Sequence, residues 1–278
     1  MKTLYKMLRA KRHQDIIKII DTVAQGFNKF QGAKWTLYVP EIQTTEFRPL
    51  FASHTDTVSD RKPKELKKVK GILKNPHGVL GADDRAGCYG LYQMMQNGTE
   101  GYYLFTDEEE VGGIGAGEFA ESDLFETLTP HISCLIELDR KGAKEIALYE
   151  YDNEEFISLF EHLGYKREYG SYTDVVDLAM KSGIACMNLS IGYYNEHTSR
   201  EALNISEMNA TIEMMLTRLP SALYQKQFEV EVVEYPSYSQ SQGYSWDIEP
   251  ICCEMCEQHL PLYDTLYGSL CAECLSMT

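Results

Sequence analysis

The stretch Leu80–Cys88, LGADDRAGC, sets two aspartates side by side between a glycine turn and an apolar run. Adjacent carboxylates repel each other. One reading is helix capping, in which an Asp accepts backbone N–H bonds and complements the helix dipole. The other is that a strong positive charge sits at this turn. The flanking sequence bears on the choice.

Upstream and downstream, strand-like and helix-like segments alternate over the first 220 or so residues. KWTLYVP, FRPLFASH, GYYLFTD, HISCLIELD, EIALYEY and ACMNLSIG read as strands. Residues about 84–97, about 153–163 and about 206–219 read as helices, as does the segment with Ile16, Ile17, Ile19 and Ile20. The alternation predicts an α/β fold, a three-layer α/β/α sandwich on a mixed central sheet. In such folds chemistry collects where strands end.

Acids and histidines stand at those ends. SHTDTV carries His54 and Asp56, GADDRAG carries Asp83 and Asp84, and FTDEEEVGG carries Glu108, Glu109 and Glu110. IELDR carries Asp139, and YYNEHTS carries His197. A lone histidine is usually structural, and an acidic triplet is usually a solvated turn. As a set at the exits of one sheet, they form a donor group suited to zinc or a related divalent ion. A carboxylate bridging two such ions also accounts for the paired aspartates.

In this order, the five motifs resemble those of the co-catalytic zinc exopeptidases, the superfamily of peptidase T, glutamate carboxypeptidases and two-zinc aminopeptidases. The resemblance spans roughly residues 48–200. It implies one metal on His54 and Asp139, another on Glu110 and His197, and Asp83 bridging both. It also implies a cis peptide between Asp83 and Asp84, Asp56 orienting His54, and Glu109 as general base. Tyr169 or Tyr172 is expected to donate to an oxyanion, and Glu196 or Asp174 to meet a substrate amine. Zinc is the expected metal, with cobalt and manganese as alternatives. Only 57 residues lie between Asp139 and His197, and they read as core α/β material. The lid or dimerisation domain that carboxypeptidases and peptidase T carry there has no counterpart.

The composition fits this reading. The chain of 278 residues is 44% hydrophobic and 24% charged, with net charge -16, which disfavours a nucleic-acid partner. No secretory leader or membrane-spanning run is evident, so the expected location is cytoplasmic. Cys88, Cys134 and Cys186 sit singly in apolar segments and read as buried thiols.

The other five cysteines crowd into the C-terminus. Residues 1–235 are read as the catalytic domain, 236–249 as a linker and 250–278 as a zinc-ribbon-like module. Cys253, Cys256, Cys271 and Cys274 form two C-x-x-C pairs spaced for one structural zinc, with Cys252 left over and His259 as a substitute ligand. From Ser221 onward there are one Lys, no Arg and nine acids, so a protein partner or self-association is expected of the module.

The expected activity is hydrolysis of peptides, by an aminopeptidase or small-peptide peptidase. An N-acyl amino acid deacylase or carboxypeptidase-type amidohydrolase is the alternative, and a non-catalytic protein-binding module a further one.

Overall fold

The computed structural model describes residues 1–42, 44–59 and 61–231, and the backbone of two short C-terminal strands, Leu262–Thr265 and Gly268–Cys271. The chain divides into two compact units, Met1–Val232 and Val233–Thr278. In the second unit the two strands pair antiparallel, with Leu262 opposite Cys271. The linker assigned to 236–249, His259 and the side chains of Cys253, Cys256, Cys271 and Cys274 lie outside the described residues.

The described residues of the first unit form twelve strands. They are β1 (Phe27–Gln31), β2 (Trp35–Pro40), β3 (Arg48–His54), β4 (Lys67–Val69), β5 (Ile72–Lys74), β6 (Tyr102–Thr106), β7 (Ile132–Arg140), β8 (Glu145–Leu148), β9 (Lys166–Tyr169), β10 (Cys186–Ser190), β11 (Tyr193–Tyr194) and β12 (Ala202–Asn204). Its helices are α1 (Lys2–Met7), α2 (His13–Ile20), α3 (Ala82–Gln96), α4 (Ile114–Ala120), α5 (Asp123–Leu128), α6 (Glu154–Glu161), α7 (Asp174–Ser182) and α8 (Ile205–Thr217).

Eight strands form one mixed sheet in the order β1-β2-β6-β3-β7-β10-β8-β9. The inner four, β6, β3, β7 and β10, run parallel, while β2 and β8 are antiparallel to them. Every residue of β3, β6 and β10 is buried, as expected for strands covered on both faces. Alternation along a strand sends its side chains to opposite faces. Along β6, Tyr103 and Phe105 join one apolar cluster, while Tyr102 and Leu104 join the other. Helices α1, α2, α3, α6 and α8 fill the first cluster, and α4, α5 and α7 the second. The strands β11, β12, β5 and β4 form a separate four-stranded sheet in that order.

Cys88, Cys134 and Cys186 are buried free thiols. Among the described residues no helix is long and apolar enough to cross a membrane.

His13, at the start of α2, lies buried behind β3. Thr55 gives its hydroxyl proton to the Thr106 carbonyl, so His13 Nδ1 donates to Thr55 Oγ1, and Nε2 accepts from Thr36 Oγ1, both at 2.9 Å. Burial, helped by Lys29 and Lys34, pushes the imidazole down to about 4. The unfolded chain therefore takes up a proton at a pH where the folded chain does not. Stability from this group is present above about pH 6.5 and is lost as pH falls towards 4, by up to about 3 kcal/mol. Denaturant midpoints of the parent chain should drop more between about pH 7 and about pH 5 than those of a His13→Gln variant. An equal drop in both would remove His13 as a source.

Candidate metal centre

Parallel strands β3, β6, β7 and β10 end at one edge of the sheet. His54 is the last residue of β3, and the Asp107–Gly113 turn follows β6. Asp139 stands at the end of β7, and the chain leaving β10 passes through β11 to His197. Asp83 enters from the N-terminus of α3. These residues form two candidate ligand triads, His54–Asp83–Asp139 and Asp83–Glu110–His197, with donor atoms in each set within 4.8 Å of one another. Asp83 belongs to both. Its Oδ1 lies 3.1 Å from His54 Nε2, and its Oδ2 lies 3.0 Å from His197 Nε2.

The two aspartates divide the two readings between them. Asp84 turns away and caps the helix, with Oδ1 accepting from the Gly87 N–H at 2.9 Å and Oδ2 from the Ser53 hydroxyl at 2.6 Å. Asp83 turns towards the imidazoles. The peptide between them is cis, and helical backbone begins only after Asp84. Gly87 is needed for close approach: a Cβ there would lie 2.2 Å from the Leu138 carbonyl oxygen and 2.5 Å from Asp84 Oδ1.

Asp56 organises the neighbouring loop. Its Oδ1 accepts from His54 Nδ1 and from the Glu109 N–H, and its Oδ2 from the Glu110 N–H, each at 3.2 Å. One carboxylate thus orients an imidazole and ties the exits of β3 and β6 together. Glu110 Oε2 is 2.9 Å from His197 Nε2, and Glu109 Oε2 is 3.9 Å from His54 Nε2. His197 holds a left-handed backbone at φ 62, uncommon for a non-glycine residue and enriched at functional turns.

Several supporting residues stand outside the assigned ligand set. Glu201 is buried and accepts four backbone N–H bonds from Leu80, Gly81, Ala82 and Asp83, at 2.6–3.2 Å. Asn188 on β10 accepts from the Asp139 N–H and donates to its carbonyl. Tyr193 donates to the Asp139 carboxylate at 3.1 Å. Arg85 is buried and donates to the carbonyls of Thr55, Met7 and Ala10, which fastens the end of α1 to the loop behind the site.

Crowding of acids shows in their proton affinities. Burial, then repulsion from Asp83, lifts Glu110 to about 7. The hydrogen bond to Asp83, opposed by burial and aided by Glu110, holds His197 at about 9. Burial opposes ionisation of Asp83, yet His197 and His54 hold it below the usual carboxylate range. Burial and Asp83 push Asp139 well up. Fully deprotonated, as metal ligation requires, Asp56, Asp83, Glu109, Glu110 and Asp139 would gather five negative charges in one cleft. Glu110 Oε1 is buried with no hydrogen-bond partner. Two imidazoles and three carboxylates, one bridging and one with an orphaned oxygen, suit a pair of divalent cations such as zinc.

Other assigned residues stand differently. Tyr169 ends β9 with its side chain exposed. The Tyr172 hydroxyl donates to Asp177 at 2.9 Å and packs against Gly113, whose φ of 66 and missing Cβ leave room for it. Asp174 is fully buried at the start of α7, where it accepts from Thr106, and so cannot meet a substrate amine. Glu196 pairs with Lys141 at 2.6 Å. The segment between Asp139 and His197 is β8, α6, β9, α7, β10 and β11, without an inserted domain.

Comparison of the sequence with protein-family models and with curated proteins finds no match. Comparison of structures does. The aminopeptidase PepT from Bacillus cereus ATCC 10987 superposes with TM-score 0.60 at 15% identity, over 81% of this chain and 96% of that one. A tripeptidase from Staphylococcus aureus subsp. aureus Mu50 gives 0.59 at 14% identity, over 81% and 98%. The TET1 peptidase of Pyrococcus horikoshii gives 0.58 at 14% identity, over 77% and 97%. The α/β unit of this chain has the fold of these peptidases.

Proposed function

We propose that this chain is a metal-dependent peptide hydrolase acting as an aminopeptidase on short peptides, with two divalent cations, zinc by preference, on His54, Asp83, Asp139, Glu110 and His197. The observation that carries the reading is Asp83, which sets one carboxylate oxygen against each of two imidazoles in two triads. Likeness in fold to an aminopeptidase and a tripeptidase supports the substrate class.

When bound, such cations supply Lewis acidity and make hydroxide available near neutral pH. The protein's part is positional and acid–base. Asp56 fixes the ring of His54 and the backbone of Glu109 and Glu110. Glu109 has its carboxyl raised by burial and by Asp83, which moves it towards the range where a base works best. It takes the proton of the attacking water and returns it to the leaving amine. A structural zinc on Cys253, Cys256, Cys271 and Cys274 belongs to the same proposal, and would add one metal to the two of the catalytic unit.

One peptide series tests this, each member with a free or acetylated N-terminus and a free or amidated C-terminus, with and without chelator. Chelator-sensitive cleavage that needs the free amine is the expected result. Cleavage that needs the free carboxylate, or that tolerates the acetyl group, would replace the aminopeptidase by a carboxypeptidase or deacylase. No cleavage of any member by metal-loaded protein would overturn the hydrolase reading.

A further inference from the structure

The chain carries 42 acids against 26 Lys and Arg, yet seven of those 26 fall within fourteen residues, Arg61, Lys62, Lys64, Lys67, Lys68, Lys70 and Lys74. All seven are exposed. Elsewhere several cations are paired: Lys29 with Asp21, Lys34 with Glu108, Lys141 with Glu196, Lys181 with Glu121, and Arg167 with Glu154 and Glu161. In this segment, among the described residues, only Lys67 has an ion pair, at 3.5 Å from Glu65. On the β4–β5 hairpin Lys67 stands directly opposite Lys74. Like charges in directly opposed positions destabilise a hairpin. Beyond the Lys67–Glu65 pair, nothing within the described residues offsets that repulsion, and a bound anion would.

The hairpin adjoins the metal centre. β5 pairs with β12, placing Ala202 opposite Lys74, and the turn between β11 and β12 carries His197. The chain leaving β5 reaches Asp83 nine residues after Lys74. Two open clefts lie along this surface, of about 980 Å³ and about 730 Å³. Arg61, Lys62 and Lys64 line the first, Lys70, Lys74 and Arg200 the second. Asn75 and Ser199 line both, and Ser199 is two residues from His197.

We propose that this cationic hairpin and its clefts bind the acidic part of a peptide whose end reaches the metal centre, so that the substrates are peptides rich in Asp and Glu. The proposal rests on the peptide-hydrolase reading. The clefts exceed the volume of a single side chain, and the charges spread along both, which fits several carboxylates in a row. Residues 55–79 contain no Phe, Tyr or Trp. A single-stranded nucleic acid would lack the stacking platform that usually accompanies such charge.

The test uses the full chain carrying Glu109→Gln, so that bound peptide is not consumed. The probe is a short peptide of one alanine followed by a run of glutamates, and its counterpart carries glutamines in their place. Fluorescence anisotropy reads the affinity of both at about 10 mM and about 150 mM ionic strength. The glutamate peptide is expected to bind about ten-fold tighter at the lower ionic strength, and the advantage to shrink at the higher. Lys64→Gln, Lys70→Gln and Lys74→Gln together should reduce it to about two-fold or less, whereas the same change at Lys18, Lys144 and Lys166 should retain it. Equal binding of the two peptides would overturn the proposal. So would a preference that survives the hairpin variant, or displacement of the peptide by oligo-dT at lower concentration than by the glutamate peptide itself. Binding needs no turnover, so the two readings fail separately. Glutamate-selective binding without hydrolysis by the Glu109 chain would sink the hydrolase alone, and hydrolysis without selectivity would sink the hairpin site alone.

Discussion

Glu109→Gln is expected to lower peptide hydrolysis by about 10²–10⁴-fold, the usual contribution of a positioned general base. Metal content and thermal unfolding should match the parent chain. The reason for separating these readouts lies in how Glu109 is held. Its side chain is mostly buried, 3.9 Å from His54, but it belongs to neither ligand triad. Its position comes from its backbone, through the N–H given to Asp56, and glutamine keeps that bond. What glutamine loses is the capacity to accept a proton. Full metal content with activity reduced in kcat would therefore isolate proton transfer. Near-normal turnover would show that another group moves the proton, and the acid–base assignment would fail. A fall in metal content would instead make Glu109 a ligand and shift the base elsewhere. The pH profile adds a second reading. Burial and the nearby Asp83 raise the Glu109 carboxyl above its ordinary value. Cations on the neighbouring ligands would oppose that rise, so an acidic limb above that of a free glutamate would show burial outweighing them.

Much of the fold was legible because burial leaves a periodic trace. β3, β6, β7 and β10 are covered on both faces, so their residues are apolar runs, and each was readable as a strand. Helices α2, α6 and α8 each bury one apolar stripe, while α3 is buried on nearly every side. What escaped has weaker patterning. β1 and β9 are edge strands with mostly exposed side chains, FNKFQ and KREY, and edge exposure removes the alternation. α4, IGAGEFA, and α5, DLFETL, are too short for a helical period to declare itself. α7 begins at Asp174, and a buried acid at a helix start reads in sequence as a polar loop. The candidate ligands were legible for a different reason: each stands at the end of a readable strand or turn, in a short motif whose order resembles a known superfamily. Residues that hold ligands through backbone groups leave no such trace, because their partners are distant and have no side-chain identity. Asn188, bonded to the main chain of Asp139 49 residues away, is one case. Arg85 is the intermediate case, visible inside the motif but with three carbonyl partners that no pattern reveals.

Glu201 is the residue whose loss should cost most in stability. Its two oxygens accept N–H bonds from four consecutive residues, Leu80 to Asp83, about 120 positions earlier in the chain. These donors precede the regular helical part of α3, and Gly81 holds a left-handed φ of 72 that turns them towards one point. Glu201→Ala would leave the four N–H groups without their acceptor in a dry site. An unsatisfied buried donor costs about 1–3 kcal/mol, so even with partial relaxation the loss should exceed about 4 kcal/mol. Glu201→Gln distinguishes charge and hydrogen bonding from packing. It keeps the volume but turns one acceptor into a donor that faces two N–H groups, and should recover less than half of the loss. Denaturant unfolding checks both. If glutamine restored the parent's stability, Glu201 would be acting as a filler. Metal affinity gives an independent reading, since the Asp83 N–H is one of the four, and a loosened Asp83 disturbs both triads at once. Both variants should thus bind metal more weakly even at temperatures where they remain folded. Unchanged affinity in a folded Glu201→Gln chain would confine the residue to stability and leave the orientation of Asp83 to the two imidazoles.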